Sequence, residues 1–175
     1  MILRIFIVVG VLIVALLAFA ATKPDIFQVQ RSITIRAHPE KVFALMNDFH
    51  SWPTWAPQDK EDPTMRRTYS GPPEGKGAVS EWTSTGSAGK GKMAIIESVS
   101  PRTVSVQVDF EKPFAAHNVN EFILEPDGSS TKVTWAMRGT NLYVMKLMSM
   151  FVNMDRMAGK HFEDGLVKLK TAAEQ

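Results

Sequence analysis

The chain has 175 residues, 45% hydrophobic and 22% charged, which suits one folded domain and excludes a disordered chain. Its net charge is +2, with Lys and Arg interspersed among Asp and Glu, so no basic block of the nucleic-acid-binding kind is present. Cysteine is absent, which excludes disulfides, thiolate metal sites and cysteine nucleophiles and leaves the redox compartment open.

The first element is "IFIVVGVLIVALLAFAA", Ile5 to Ala21, with Arg4 before it and Lys23 after it. A run without one polar side chain, close to the length of a bilayer crossing, reads as an N-terminal transmembrane helix. The small residues of "AFAA" leave a cleaved signal peptide as the alternative. Arg4 precedes the run and positive charge stays cytoplasmic, so the remainder is expected outside the cytoplasm. That gives a single-pass cell-membrane protein, or a secreted or periplasmic one after cleavage. Residues 1–22 are assigned to the anchor, 23–26 to a linker and 27–175 to one domain.

Alternation of Phe27, Val29, Ile33 and Ile35 with polar neighbours predicts a half-buried strand, with Arg31 the exception on the apolar phase. "HPEKVFALMNDF" then switches to helical spacing, with Pro39 in the first turn and Val42, Phe43, Met46 and Phe49 on one stripe. Pro53, Pro57 and Pro63 break the tryptophan-rich stretch that follows into short turns. Six strand-like runs come next, "MRRTYSG", "AVSEWTS", "GKMAIIESVS", "TVSVQVDF", "AAHNVNEFILEP" and "TKVTWAMRG", most joined by short turns. From Leu142 the spacing is helical to the end, through Met145, Met148, Phe151, Val152, Asp155, Ala158, Phe162, Leu166 and Leu169, with a break expected near Gly159 or Gly165. Asp155 is the charged member of that stripe; it is expected to pair with a neighbour of Arg156 or with Arg31, or to face the cavity. The order predicts an α+β fold, a curved antiparallel sheet of about seven strands wrapped on a long C-terminal helix.

This order resembles the START/Bet v1-like (SRPBCC) superfamily with its helix-grip fold, and within it the bacterial polyketide cyclase/dehydrase and lipid-transport type. The resemblance is carried by "RSITIRAHPEKVFALMNDFHSWPTWAP", "FILEPDGSSTKVTWAMRG" and "HFEDGLVKLK" and covers roughly Phe27 to Lys170. It implies an apolar cavity between sheet and long helix that takes a lipid, sterol, polyketide or aromatic molecule.

Candidate cavity residues follow from strand and helix phase. For Trp52 and Trp55 it is the resemblance that implies a place at the cavity mouth, since the segment after the first helix lies near the open end of a helix-grip sheet; the alternatives are plugs between the short helices and the sheet, or contact with the membrane interface. Trp82, Met93, Phe110, Phe122, Trp135 and Met137 fall on inward phases of their strands, and Ala158 and Phe162 on the helical stripe. Phe114 follows Pro113 at a hairpin tip. Asn118 shares a phase with Phe122 and is a candidate for fixing a ligand headgroup. His38, His50, His117 and His161 lack metal-ligand spacing and read as surface residues. Glu81, Glu97, Asp109 and Glu121 read as solvent-facing, and "GSAGKGK" as a hairpin turn without the phosphate-loop spacing. No catalytic residue, metal or cofactor is assigned, and no nucleic-acid partner; the oligomeric state stays open. The leading expectation is membrane-tethered binding of a hydrophobic small molecule or lipid. The alternatives are a cyclase/dehydrase-like enzyme on a polyketide or aromatic substrate, which a buried carboxylate–histidine pair inside the cavity would support, and an interaction module with a collapsed cavity.

Overall fold

The computed structural model describes residues 2–56, 62–86, 88–112, 115–141, 143–149 and 154–175. A leading helix, α1 (Ile2–Ala21), precedes strand β1 (Ile26–Ile35), helix α2 (Pro39–Asn47) and a single 3-10 turn, Trp52–Thr54. Six strands follow: β2 (Arg66–Ser70), β3 (Val79–Thr83), β4 (Lys90–Val99), β5 (Thr103–Lys112), β6 (Ala116–Asp127) and β7 (Ser130–Thr140). Two helices close the chain, α3 (Tyr143–Met148) and α4 (Met154–Ala173).

The seven strands form one antiparallel sheet in the order β1-β7-β6-β5-β4-β3-β2. Strands β2 to β7 are a meander, and β1 returns to pair with β7 from Ile26↔Thr140 to Ile35↔Thr131. Register shifts in β4, at Lys90/Gly91 and Ile95/Glu97, bend the ladder and help the sheet curve. The concave face carries Val104, Val106, Phe122, Leu124, Val133 and Trp135, all buried. Helix α4 lays Phe162, Leu166, Leu169 and Ala173 against that face, the spacing its sequence predicts. The sheet and C-terminal helix fit the helix-grip expectation.

The transmembrane expectation is not met. Among the described residues no helix is long and apolar enough to cross a membrane. Helix α1 carries Arg4 in its first turn, so its unbroken apolar run stays short of the typical length of about 20 residues. The C-terminal helix also differs from expectation. Gly159 and Gly165 both lie inside an unbroken α4. Leu142, Phe151 and Val152 lie outside the described residues, as does Phe114.

Gly159 survives in the helix for a packing reason. The Arg31 guanidinium lies over it, and a Cβ there would collide with the guanidinium. Arg31 Nε donates to Glu163 at 2.8 Å and Nη2 donates to Asp155 at 3.0 Å. Asp155, Gly159 and Glu163 are one helical turn apart, so a single arginine on β1 grips the exposed edge of α4. The apolar-phase arginine and the stripe aspartate are thus each other's partners.

Asp62 ties the segment after the 3-10 turn to the β3–β4 hairpin. Its carboxylate accepts from Ser84 Oγ at 2.6 Å, Thr64 Oγ1 at 2.6 Å and the Ala88 N–H at 3.2 Å. The Ser84 and Thr64 hydroxyls lower its pKa to about 2, against the opposing effect of burial. A depressed carboxylate pKa contributes stability that is complete above the ordinary value of 3.8 and is lost as pH falls through about 2. Asp62→Asn is therefore expected to destabilise the domain at neutral pH, with the gap to wild type narrowing through that window. Urea titrations across pH check this, and a gap that stays constant down to pH of about 2 contradicts it.

Candidate functional site

The space between sheet and α4 is divided. Its centre is filled by a cluster of five aromatic rings. Trp135 stacks on Phe162 at 4.4 Å between centroids with an 8° interplanar angle. Phe122 lies 5.1 Å from Trp135, and Trp52 and Trp55 meet Phe122 edge-on at 6.0 and 6.1 Å. Each such pair contributes about 0.5–1.5 kcal/mol beyond the area it buries. Trp55 and Phe122 are fully buried.

Every tryptophan in the chain is locked by its indole N–H. Trp52 donates to the Met46 carbonyl and Trp55 to the Leu45 carbonyl, both at 3.0 Å. These bonds use carbonyls at the C-terminal end of α2, which have no partner inside their own helix. Trp135 donates to Asn120 Oδ1 at 3.1 Å, and Trp82 to the Ala88 carbonyl at 3.0 Å. Trp82 also packs edge-on against Phe110 at 5.5 Å, over Gly91. The tryptophan turn therefore sits in the core as a plug, and Trp55 lines neither cavity described next.

The inner cavity is small, about 50 Å³, room for a water or two. Trp52, Met93, Phe110, Trp135, Met137 and Phe162 line it, together with His161. His161 is thus half-buried against the cluster, in contrast to the surface position its sequence suggests. His38, His50 and His117 are exposed as expected.

The outer cavity, about 220 Å³, lies toward the α1 end of the sheet. Its floor is Phe27 and Val29 from β1, Asn118 from β6 and Met137 from β7. Asn141, Met145 and Ser149, in and around α3, and Ala158 from α4 complete it. Gly139, paired with Asn118 across β6 and β7, lets two of these walls pack close to the backbone. A Cβ there would run into the Asn118 carboxamide and would lie 2.7 Å from the Phe27 ring. Asn118 faces this cavity half-buried, and its carboxamide has no hydrogen-bond partner among the described residues. Met137 borders both cavities and separates them.

Of the residues singled out in the sequence, Asn118, Met137 and Ala158 meet in the outer cavity. Trp52, Met93, Phe110, Trp135 and Phe162 meet around the inner one with Met137. Trp55, Trp82 and Phe122 line neither. Phe27 and Val29 carry a signal, the apolar phase of β1, and Met145 carries another, the helical stripe. Asn141 and Ser149 carry none, because their positions depend on how α3 folds back over the sheet.

Titratable groups gather elsewhere. His50 Nδ1 meets Asp48 at 2.9 Å beside Tyr69, at a surface cleft of about 240 Å³ near β2. His117 Nδ1 meets Asp109 at 2.7 Å. Both histidines are more than half exposed, and neither lines the inner or the outer cavity. No cluster of three metal-ligating side chains occurs among the described residues.

Comparison with known proteins decides the family. Residues 27–174 match the family model described as polyketide cyclase / dehydrase and lipid transport. The chain belongs to this family. Solved structures agree on the fold. Protein CV1439 from Chromobacterium violaceum superposes with a TM-score of 0.60 at 15% identity, over 87% of this chain and 99% of its own. The Aha1 dimer from Colwellia psychrerythraea gives 0.56 at 20% identity, over 85% and 96%. Ara h 8.0201 gives 0.57 at 12% identity, over 85% and 97%, and places the fold among the Bet v1-like structures. No curated protein matches the chain.

The division of the space makes Phe162 and Met137 differ. Phe162→Ala empties volume inside the packed cluster and is expected to cost about 3–5 kcal/mol. Met137→Ala opens onto space that already exists and is expected at the low end for such truncations, about 2 kcal/mol. Equilibrium urea unfolding of the two variants checks the order, and a larger loss at Met137 contradicts the division.

Proposed function

We propose that this family member binds a hydrophobic small molecule or lipid chain in the outer cavity and holds it there as cargo. The observation that carries the reading is the cavity's lining. Phe27, Val29, Met137, Met145 and Ala158 are apolar, and the Asn118 carboxamide faces the cavity without a hydrogen-bond partner among the described residues. An apolar pocket with one or two placed polar groups is the usual form of a small-ligand site. Two of the lining residues are methionines, which adapt to irregular ligands. At about 220 Å³ the cavity is below the roughly 300–1,000 Å³ of sites that enclose a drug-sized molecule. It suits one acyl chain or one small ring, with any larger remainder outside. The family's description, which includes lipid transport, supports the same class. The apolar leader supports an extracytoplasmic location, whether the leader is retained or removed.

A second reading has one observation in its favour. The aromatic cluster fills the centre of the space where a larger cargo would sit, as expected of a protein-interaction module. The cyclase/dehydrase reading has less support, because both histidine–carboxylate pairs described above lie outside the two cavities.

Native mass spectrometry of the full chain, purified in mild detergent from the cells that make it, tests the proposal. A reproducible added mass is expected in wild type and is expected to be lost in Met137→Trp, whose ring fills the outer cavity. Unliganded protein that takes up nothing from a lipid extract contradicts the proposal and favours the interaction module.

A further inference from the structure

We propose that α1 and the outer face of α3 form one lipid-contacting surface, and that the outer cavity exchanges its cargo with that lipid by way of α3. This inference rests on the hydrophobic-cargo reading above and adds the source of the cargo.

The surface is defined by exposure. Val11, Leu12, Ile13 and Val14 are four consecutive residues of α1, so their side chains point about 100° apart around the helix. They are 62%, 63%, 52% and 66% exposed. A protein partner or a second copy of the chain covers one stripe of a helix. Here no stripe is spared, and only a medium that wraps the helix buries all of it. The fluid apolar interior of a bilayer is such a medium, and α1 need not cross the bilayer to use it. Beyond Ala21 the apolar surface continues onto the domain as Ile26, Tyr143 and Val144, which are 66%, 46% and 59% exposed. Lys23, whose Nζ lies 5.0 Å over the Phe19 ring, marks the level at which charge reappears. An amine beside an aromatic ring suits the headgroup layer.

The connection to the cavity is made by α3. Tyr143 and Val144 face outward, while Met145 and the following Ser149 line the cavity beneath. A helix this short has little stability of its own. It is fastened to the base of α1 instead. Tyr143 Oη donates to the Leu17 carbonyl at 2.9 Å, and Lys146 Nζ pairs with Asp25. Asn141 donates through Nδ2 to the Pro24 carbonyl at 3.0 Å and through its backbone N–H to the Asp25 carbonyl at 2.7 Å. One thin element therefore separates the cavity from the surface proposed to meet lipid, and it is fastened both to that helix, at Leu17, and to the segment that follows it, at Pro24 and Asp25. A chain leaving the bilayer beside α1 reaches the cavity without crossing water.

The test uses the full chain, phosphatidylcholine–phosphatidylglycerol vesicles and a pyrene-labelled fatty acid. Val144→Asp places a charge on the outer face of α3 and touches neither cavity. It is expected to bind the labelled acid from dilute solution as wild type does, yet to draw it from vesicles about tenfold more slowly. Tyr143→Phe keeps the apolar face, removes the bond to Leu17 and is expected to change the transfer rate by less. Equal transfer rates for wild type and Val144→Asp, with intact binding, overturn this inference and leave the cargo reading standing. Absence of binding from solution by the wild-type chain overturns both.

Discussion

The stack of Trp135 on Phe162 sets how closely α4 can approach the sheet, and most of the interior follows from that distance. Two rings lying flat on each other at 4.4 Å hold the helix off β7 by the thickness of an aromatic pair. Phe122, Trp52 and Trp55 fill the gap created on one side of the stack. On the other side the side chains shrink to Ala158 and the narrow Met137, and the gap stays open. The cavity is thus the unfilled half of a space that the aromatic cluster props apart. Arg31 keeps the helix from rocking on that pivot, since it binds α4 one turn either side of Gly159.

Much of the fold was legible in the sequence because its signals are periodic and local. Period-two alternation in "TVSVQVDF" and the turn in "PDGSS" specify strands and a hairpin without help from tertiary contacts. The stripe through Phe162, Leu166 and Leu169 specifies the helix and the face it buries. The break expected near Gly159 or Gly165 does not occur, for a tertiary reason. Glycine propensity points to Gly159 and Gly165, but Gly159 is retained because an arginine from β1 occupies the space a side chain would take. The sequence shows the cost of the glycine and hides its cause.

The site was less legible. Inward phase does not distinguish a residue that lines empty space from one that packs, so Trp82 and Phe122 carry the same signal as Met137. What separates them is the partner across the gap, which depends on the approach of α4 and on the return of α3. The membrane-crossing reading failed differently. Apolar composition from Ile5 to Ala21 was clear, but composition does not convert into a span when Arg4 shortens the unbroken run. His161 shows the same limit: one residue from the stripe, it was expected at the surface, and the curvature of the sheet brings it against the cluster.

The central claim is that the outer cavity, rather than the aromatic centre or the His50 cleft, is where an apolar molecule binds. Methyl-resolved NMR of the ten methionines tests it most directly during titration with a medium-chain fatty acid. The account predicts large, saturable shifts at Met137 and Met145, with Met46, buried on the inner face of α2, nearly unmoved. Shifts centred on Met46, with Met137 and Met145 silent, would contradict it.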